Sequence, residues 1–293
     1  MGQIRTAVYL RRAITTMKLL KLWVPLLALV CIGSVACKEA QGREDKPDSP
    51  TPDPVGSFNK FDWQPVIYDS TKQYIYLSFD DGPQHGTTTC IDLVRKEHVK
   101  ASFFMVGLHA AQKPDGKKIV SMIRESYPEL LLANHSYTHA RDKYMFFYHH
   151  PLEAEQDFLQ AQDSMKVPFK IIRLPGNSAW AERGHIKATH LVAPVTHLLD
   201  SAGYNVIGWD LEWSFQKKTS RPVQSATRLA AEVDTLLAHH KTHTPNHLVI
   251  LTHDRMFQRP EDADSLARFI TLLKQNPKYV FETVDHYPGV KIK

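Results

Sequence analysis

Two adjacent carboxylates, Asp80 and Asp81, belong to the segment SFDDGP at positions 78–83, which directly follows the apolar run 74–77. Two like charges side by side are costly to place in a pocket unless a cation or a proton lies between them. The carboxyl end of a strand is also where α/β enzymes hold ligands and catalytic groups. The pair therefore predicts a site that combines a metal ion with a general base.

A second group of polar residues follows the apolar segment 129–133 and reads NHSYTH at positions 134–139. If this segment is helical, His135 and His139 lie on one face, a spacing that lets two imidazoles bind one metal ion. With Asp81 they give three protein ligands and leave a position for water, as in a catalytic zinc site. A lone H-x-x-x-H pattern is a weak signal, and its place at a strand end beside the aspartate pair is what favours a metal site.

Two further strand ends carry polar residues that a purely structural role would not require. Arg173 begins the segment RLPGN, and an arginine entering a pocket can hold a carboxylate ionised and oriented through a bidentate pair. Gly176, just after it, leaves a backbone N–H open to an oxyanion. The alternative is a solvent-facing arginine before an ordinary Pro-Gly turn. His253 follows the apolar run 247–252, and this position favours an acid–base role over a buried structural imidazole.

The elements that must position these residues alternate between strand-like and helix-like segments from residue 66 onward. The predicted strands cover 74–79, 101–106, 129–133, 170–174, 205–209, 247–252 and 279–283, and the predicted helices cover 87–97, 115–125, 151–165, 190–202, 221–240 and 261–275. Short apolar strands that alternate with helices indicate a parallel α/β architecture. We expect an irregular (β/α)7-type barrel of parallel strands with surrounding helices, since about seven such units suit a barrel better than an open sheet.

The charge balance argues against one class of partner. The 293 residues carry 36 basic and 31 acidic side chains, a formal net charge of +5. Five of the basic residues, and no acidic one, lie within residues 1–36, so the remainder holds 31 of each sign. A nucleic-acid partner is therefore not expected on the grounds of charge.

Residues 1–36 are predicted to be a secretory signal peptide. A basic start at 17–21 precedes an apolar stretch that is short for a membrane span, and this layout begins more naturally at Met17 than at the first residue. Cys37 closes the sequence SVAC, which resembles a bacterial lipobox and predicts lipidation of this cysteine. The alternative is an uncleaved anchor helix.

Residues 37–65 are predicted to form a polar, proline-rich linker that tethers a folded domain at 66–293. This organisation predicts export to the bacterial cell envelope, in the periplasm or on the outer surface, with membrane contact only through the lipid anchor. Cys90 would be the one cysteine left free in the mature chain, so no intrachain disulfide is expected.

The segments SFDDGP, HSYTH and ASFFMVG (101–107) are highly specific in combination, although none is so alone. Together with the later strand-end segments, they resemble the polysaccharide deacetylase family, also called carbohydrate esterase family 4 or the NodB-homology domain. The resemblance covers residues 74–283. It implies a metal-dependent hydrolase that removes acetyl groups from the N-acetylated sugars of a polysaccharide, such as peptidoglycan, an exopolysaccharide or a chitin-like polymer.

The resemblance also implies a role for each residue at a matching motif position. These roles are Asp80 as general base, Asp81, His135 and His139 as metal ligands, Arg173 as the residue that orients Asp80, His253 as general acid, Pro175 and the Gly176 N–H at the substrate and oxyanion, and Trp213 and Leu251 as apolar walls around the acetyl methyl group. The implied cofactor is a divalent metal, zinc first, with Co²⁺, Ni²⁺ or Mn²⁺ as alternatives.

Two positions depart from the family pattern. Glu212 stands where the family has an aspartate that pairs with the acidic histidine, and its longer side chain either keeps that contact or shifts the pKa of the histidine and lowers activity. Gly176-Asn177 replaces an aromatic-glycine pair, which removes one wall of the substrate groove unless Trp180 replaces it. The aromatic run 144–148 is a further candidate for core or groove wall.

Two other functions stay open at this point. The same site would serve an esterase that cleaves O-acetyl groups from a xylan-type polymer, and a substrate panel would distinguish the two. A non-catalytic glycan-binding protein on the same fold is the alternative from another class. Binding alone does not need a base and an acid, which argues against it, but the unusual Glu212 keeps it open.

Overall fold

The computed structural model describes residues 63–182 and 184–292, which belong to one compact unit. Residues 1–62, with the predicted signal peptide, Cys37 and most of the predicted linker, lie outside the described residues. Export, lipidation and a domain boundary at residue 66 therefore stay predictions. Among the residues described, no helix is both long and apolar enough to cross a membrane.

The described part of the chain contains ten strands in one sheet and eight α-helices. The strands are β1 (Gln73–Gly82), β2 (Ala101–Met105), β3 (Leu130–Asn134), β4 (Ile171–Ile172), β5 (Trp180–Glu182), β6 (His185–Lys187), β7 (Asn205–Val206), β8 (Leu211–Glu212), β9 (His247–His253) and β10 (Tyr279–Phe281). The helices are α1 (Thr87–Lys96), α2 (Gly107–Gln112), α3 (Gly116–Glu125), α4 (Tyr144–His149), α5 (Pro151–Met165), α6 (Ala193–Ser201), α7 (Ala226–Ala238) and α8 (Pro260–Lys274).

The strand order is β6-β5-β7-β4-β3-β2-β1-β9-β8, and β10 pairs with the first residues of β1. All pairs are parallel except those that β5 makes with β6 and β7. The sheet curls into a half-barrel with helices around it, and within 63–182 and 184–292 no pairing joins its end strands β6 and β8. The predicted α/β fold of mostly parallel strands with surrounding helices is confirmed.

Strand β1 lies at the centre of the sheet and is buried along nearly its whole length. Ile75, Leu77 and Phe79 pack into one apolar cluster, while Tyr74 and Tyr76 pack into a second one. Alternate residues of a strand face opposite sides of the sheet, so a strand covered on both sides needs a continuous apolar sequence. The apolar run before Asp80 therefore fixes the central strand and delivers the carboxylates to its carboxyl end.

Helix α7 is shorter than the helix predicted at 221–240. It begins only at Ala226, because Ser225 is its N-cap: the Ser225 hydroxyl accepts a hydrogen bond from the Arg228 N–H at 3.2 Å. The residues before the cap lie in a loop, and that loop borders the candidate site described below.

The strands predicted at 170–174 and 205–209 are shorter than expected, because β4 and β7 pair over two residues each. The backbone beyond β7 has a different partner: the carbonyl oxygens of Ile207 and Gly208 accept hydrogen bonds from the side chain of Arg173. The antiparallel pair β5–β6 and the short helices α2 and α4 were not predicted.

Candidate active site

Asp80 and Asp81 point to different places because a β-bulge separates them. Asp80 pairs with Phe104 of β2 and Gly82 pairs with Met105, so Asp81 is the extra residue in the ladder. Asp81 has a φ of 74°, in the left-handed region. A bulge of this kind re-aims one side chain at the edge of a sheet. The two neighbouring carboxylates can therefore take unlike roles.

Asp80 is held by Arg173, which is fully buried. Nη1 of Arg173 donates to Oδ1 of Asp80 at 2.8 Å and to Oγ of Ser78 at 2.6 Å. Its Nε and Nη2 donate to the carbonyl oxygens of Ile207 and Gly208, at 3.1 and 3.0 Å. Burial lowers the pKa of Arg173, and the charge of Asp80 opposes that shift. One carboxylate oxygen of Asp80 is thus fixed, through a single nitrogen rather than a bidentate pair.

The condition for a shared helical face is not met, because residues 135–138 are not helical and only a short 3-10 turn, His139–Asp142, begins at the second histidine. Ser136 and His139 have φ values of 68° and 54°, both in the left-handed region. Oδ1 of Asp157, on α5, accepts two consecutive backbone N–H groups of this loop at 2.7 and 3.1 Å. Oγ of Ser136 accepts the N–H of His139 at 3.0 Å. These hydrogen bonds, rather than helical spacing, set the direction of the two imidazoles.

Asp81, His135 and His139 nevertheless come together, with potential ligand atoms within 4.8 Å of one another. Oδ1 of Asp81 lies 3.4 Å from Nε2 of His135 and 3.0 Å from Nε2 of His139. This oxygen is buried and has no hydrogen-bond partner within the described ranges. Burial acts to raise the pKa of Asp81, but the neighbouring imidazoles outweigh it and hold that pKa well below its usual value. An ionised, unpartnered carboxylate oxygen between two imidazoles fits a divalent cation.

The Nδ1 atoms of His135 and His139 also have partners. Nδ1 of His135 lies 2.9 Å from the carbonyl oxygen of Arg173, and Nδ1 of His139 lies 3.3 Å from Oδ1 of Asp142. Metal-binding histidines commonly engage the second ring nitrogen in this way, which fixes the ring and its tautomer. Both Nε2 atoms are therefore left for Asp81 and for a cation.

Arg255 also belongs to this site, although it is not among the residues predicted from sequence. Its Nη2 donates to Oδ2 of Asp81 at 3.0 Å, and its guanidinium lies 5.7 Å from the ring centroid of Phe215. The available signal was its position two residues after His253, at the same strand end.

His253 lies directly across from Asp80 on the neighbouring strand β9. Its Nε2 is 3.9 Å from Oδ2 of Asp81, and its ring packs edge-on against Phe215 at 4.9 Å between centroids. Burial lowers the pKa of His253, although the charge of Asp81 opposes that shift. The strand register thus brings an imidazole to the aspartate pair, as its position in the sequence predicts.

The expectations for Glu212 and Trp213 do not hold. Nδ1 of His253 is buried and has no hydrogen-bond partner in the described part of the chain, while Glu212 is exposed at the cavity rim. Trp213 is fully buried, packs against Phe257 and Phe269 and does not line the cavity. The physical reason is strand alternation: at the end of β8, neighbouring residues point to opposite sides. Glu212 faces the cavity and Trp213 faces the core.

The site opens into a cavity of about 490 Å³. Its lining residues are Asp80, Asp81, His135, His139, Asp142, Tyr144, Leu174, Gly176, Trp209, Glu212, Phe215, Lys217, Leu251, His253 and Arg255. Leu251 is therefore on the cavity wall, where an apolar contact was expected. Trp209 and Phe215 supply the large apolar surfaces that Trp213 does not.

Tyr144 provides the aromatic wall that the third motif lacks. Gly176 has a φ of 66°, and a β-carbon there would lie 3.2 Å from the Tyr144 ring. Pro175 is outside the cavity lining, and its carbonyl oxygen accepts a hydrogen bond from the Tyr148 hydroxyl at 2.6 Å. Trp180, the wall suggested by sequence, is nearly buried and does not line this cavity. The aromatic run 144–148 thus contributes both a wall and a support.

Every side chain of this site comes from the carboxyl ends of the parallel strands or from the loops that follow them. That organisation defines the class of the protein: an α/β protein whose sheet edge gathers two adjacent carboxylates, three imidazoles and an arginine in one cavity. Residues 68–182 match the family model described as Polysaccharide deacetylase. The match covers less than half of the chain and names the same family that the sequence motifs resemble.

Known proteins resemble this chain at low identity over most of its length. A chitin disaccharide deacetylase from Vibrio alginolyticus is 23% identical over 74% of this chain and 72% of that protein. The catalytic domain of a peptidoglycan N-acetylglucosamine deacetylase from Eubacterium rectale superposes with a TM-score of 0.55 and 22% identity, over 79% of this chain and 96% of that one. A family 4 carbohydrate esterase from Streptomyces lividans gives a TM-score of 0.53 and 20% identity, over 75% and 97% of the two chains. The two structural likenesses concern the fold.

Proposed function

We propose that this protein is a metal-dependent hydrolase that removes acetyl groups from N-acetylated sugars of a polysaccharide. The observation that carries the proposal is the Asp81, His135 and His139 cluster. It lies beside a second carboxylate, Asp80, that Arg173 holds separately. Binding a sugar alone would not need this division between two adjacent aspartates.

The residues present fit a divalent cation. Two imidazoles and one carboxylate are a common ligand set of catalytic zinc sites, and three protein ligands leave a position open. Cobalt, nickel and manganese accept the same donor atoms and are the alternative metals. Bound at Asp81, His135 and His139, the cation would supply Lewis-acid chemistry that polarises the acetyl carbonyl and a water molecule.

Asp80 is the general base in this proposal. Oδ1 is occupied by Arg173, whereas Oδ2 lies 3.7 Å from Nε2 of His135 and so faces the metal cluster. A water molecule beside that oxygen can give its proton to Asp80 as it attacks the acetyl carbon. Because Arg173 is itself fixed by two backbone carbonyl groups, the base is oriented before substrate arrives.

His253 is the general acid in this proposal, and the strand register places it across from Asp80. Burial lowers the pKa of His253, so its protonated form is less populated and more acidic than that of an exposed histidine. It can donate that proton to the departing amine of the sugar. The Gly176 N–H is the proposed donor to the oxyanion, and Leu251 the apolar contact for the acetyl methyl group.

The proposed substrate is an envelope or extracellular polymer: peptidoglycan, an exopolysaccharide or a chitin-like chain. The relatives named above include a chitin disaccharide deacetylase and a peptidoglycan N-acetylglucosamine deacetylase, which supports an N-acetylated sugar. The predicted signal peptide and Cys37 support an exported lipoprotein that meets the membrane only through its anchor. No nucleic-acid partner is proposed.

The test is acetate release from chitooligosaccharide, peptidoglycan and acetylated xylan, with and without a chelator. We expect release from an N-acetylated substrate that stops on chelation and returns when zinc is added. Release that resists chelation would overturn the metal mechanism. Release from acetylated xylan alone would show an O-acetyl esterase, and no release from any substrate by the metal-loaded protein would favour a glycan-binding protein.

A further inference from the structure

A second cavity, of about 450 Å³, lies next to the site described above. It is bordered by the β5–β6 pair, by the loop between β7 and β8, and by the loop that leads into β9. Trp209 lines both cavities. The two cavities therefore share one half-buried indole.

The wall of this second cavity is aromatic and fixed. The His243 ring stacks on Trp180 with centroids 4.1 Å apart and the planes 5° from parallel. Nε2 of His243 lies 2.7 Å from Oε1 of the buried Glu182, which prevents rotation of the imidazole. Gly208 allows this packing, because a β-carbon there would lie 2.5 Å from Oγ of Ser178 and 2.7 Å from Nε1 of Trp180.

Asp210 ties the loop that carries His243 to the sheet. Its Oδ1 accepts the N–H of His243 at 2.6 Å and its Oδ2 accepts the N–H of Val249 at 2.8 Å. Both carboxylate oxygens are thus engaged by backbone groups. The cavity is therefore preorganised, which reduces the entropy lost when a ligand binds.

Hydrogen-bonding groups stand around the aromatic wall. Ser178, Thr189 and Thr242 offer hydroxyl groups, and the exposed Lys187 and Lys241 offer ammonium groups. A sugar ring presents a face of C–H groups and an edge of hydroxyl groups, and an aromatic wall with a few polar groups around it complements both.

We propose that the second cavity binds another sugar residue of the same polysaccharide chain whose acetyl group lies in the first cavity. The inference rests on the proposed function and extends it, because it makes the preferred substrate an oligomer or polymer longer than a disaccharide. Trp209 lies between the two bound sugars in this arrangement, and the chain passes over its ring.

The test compares a chitin dimer with a chitin hexamer as substrates. We expect kcat/KM of the wild-type protein to be about tenfold higher for the hexamer, equivalent to about 1.4 kcal/mol of additional binding. Thr189→Trp, which fills the second cavity from an exposed position, should bring the ratio of the two values close to one. His190→Trp is the matched control, since His190 is exposed and adjacent but does not line the cavity, and it should keep the ratio.

A binding measurement separates failure of this inference from failure of the proposed function. Calorimetry with the hexamer and the metal-loaded Asp80→Asn protein needs no turnover, and adding Thr189→Trp should weaken binding about tenfold. Lys241→Ala, a smaller change, should weaken it in the same direction. Equal affinity in all three proteins, or a wild-type enzyme indifferent to chain length, overturns the second sugar site. Absence of acetate release together with hexamer binding that Thr189→Trp weakens overturns the hydrolase proposal and keeps the sugar site.

Discussion

Nη2 of Arg255 lies 3.0 Å from Oδ2 of Asp81, while Oδ1 of the same carboxylate faces His135 and His139 at 3.4 and 3.0 Å. The carboxylate is thus divided between an arginine on one side and two imidazoles on the other. Because the arginine occupies one oxygen, only Oδ1 is presented to the cluster. Outer contacts of this kind orient the ligands that touch a metal.

Replacing Arg255 should weaken metal binding. Arg255→Met keeps the length and the apolar contact with Phe215 but removes the donor to Asp81, so we expect zinc affinity to fall by about tenfold. A competition titration with a chromophoric chelator measures this. Arg228→Met is the matched control, because Arg228 is exposed and forms its ion pair with Glu232 on α7. Unchanged zinc affinity in the Arg255 variant would refute the orienting role. Tighter binding would show that repulsion between the guanidinium and the zinc ion outweighs it.

Neutralising Asp80 and neutralising Asp81 should have different effects on kcat and on metal content. Asp80→Asn should lower kcat by roughly 10²- to 10⁴-fold, the contribution of a general base, while the protein keeps its metal. Asp81→Asn should lose the metal, because it removes the charged ligand. Metal content and acetate release, measured on the same samples, test both statements. Asp92→Asn, an exposed position on α1, is the control, and metal loss from the Asp80 variant would mean that the roles are reversed.

Arg173 should be important for stability as well as for orientation. Arg173→Met leaves Asp80 buried without its cationic partner, and we expect the free energy of unfolding in urea to fall by roughly 3–5 kcal/mol. The double variant with Asp80→Asn should lose less than the sum of the two single variants, because the unpaired charge is gone. Additive losses would contradict the direct coupling that the 2.8 Å contact indicates.

Low pH should destabilise the protein through Glu282. This residue follows β10, which pairs with the first residues of β1, whereas Asp80 and Asp81 lie at the other end of that strand. Burial acts to raise the pKa of Glu282, but hydrogen bonds from His286 and Lys100 outweigh it and lower that pKa from 4.5 to about 2. The unfolded chain therefore binds a proton at a higher pH than the folded one. The stabilisation is complete above pH 4.5, is lost as the pH falls towards 2, and is on the order of 3 kcal/mol.

Urea unfolding of Glu282→Gln between pH 2 and 7 tests this prediction. The variant should be less stable than the wild type at pH 7 and should depend less on pH below 4.5. Glu261→Gln is the control, since the Glu261 side chain is more than half exposed and its ion pair with Arg221 is long, at 3.5 Å. Parallel pH profiles for wild type and Glu282→Gln would refute the assignment.

The residues that sequence predicts best are those whose position follows from strand order. Asp80, Arg173 and His253 each end or follow an apolar strand, and in a parallel sheet such ends meet at one edge. His135 and His139 also follow a strand end, and the loop that carries them is shaped by hydrogen bonds to Asp157 and not by helical spacing.

The remaining site residues depend on contacts that spacing does not reveal. Trp213 was expected on the cavity wall, but alternation at the two-residue strand β8 sends it into the core. Arg255 and Tyr144 reach the site from a turn and from a short helix that carry no periodic signal. The sequence gives the size and charge of these side chains. Their contacts depend on tertiary packing, which residue spacing does not reveal.

The position of β9 between β1 and β8 means that the proposed site is built from two distant parts of the chain. The proposed metal ligands are all in place by residue 139, whereas Leu251, His253 and Arg255 arrive with a strand that inserts more than a hundred residues later. In the proposed mechanism, a chain that stopped before β9 would lack its general acid, although all three proposed ligand residues would be present. The proposed hydrolysis would therefore depend on β9 taking its place between β1 and β8.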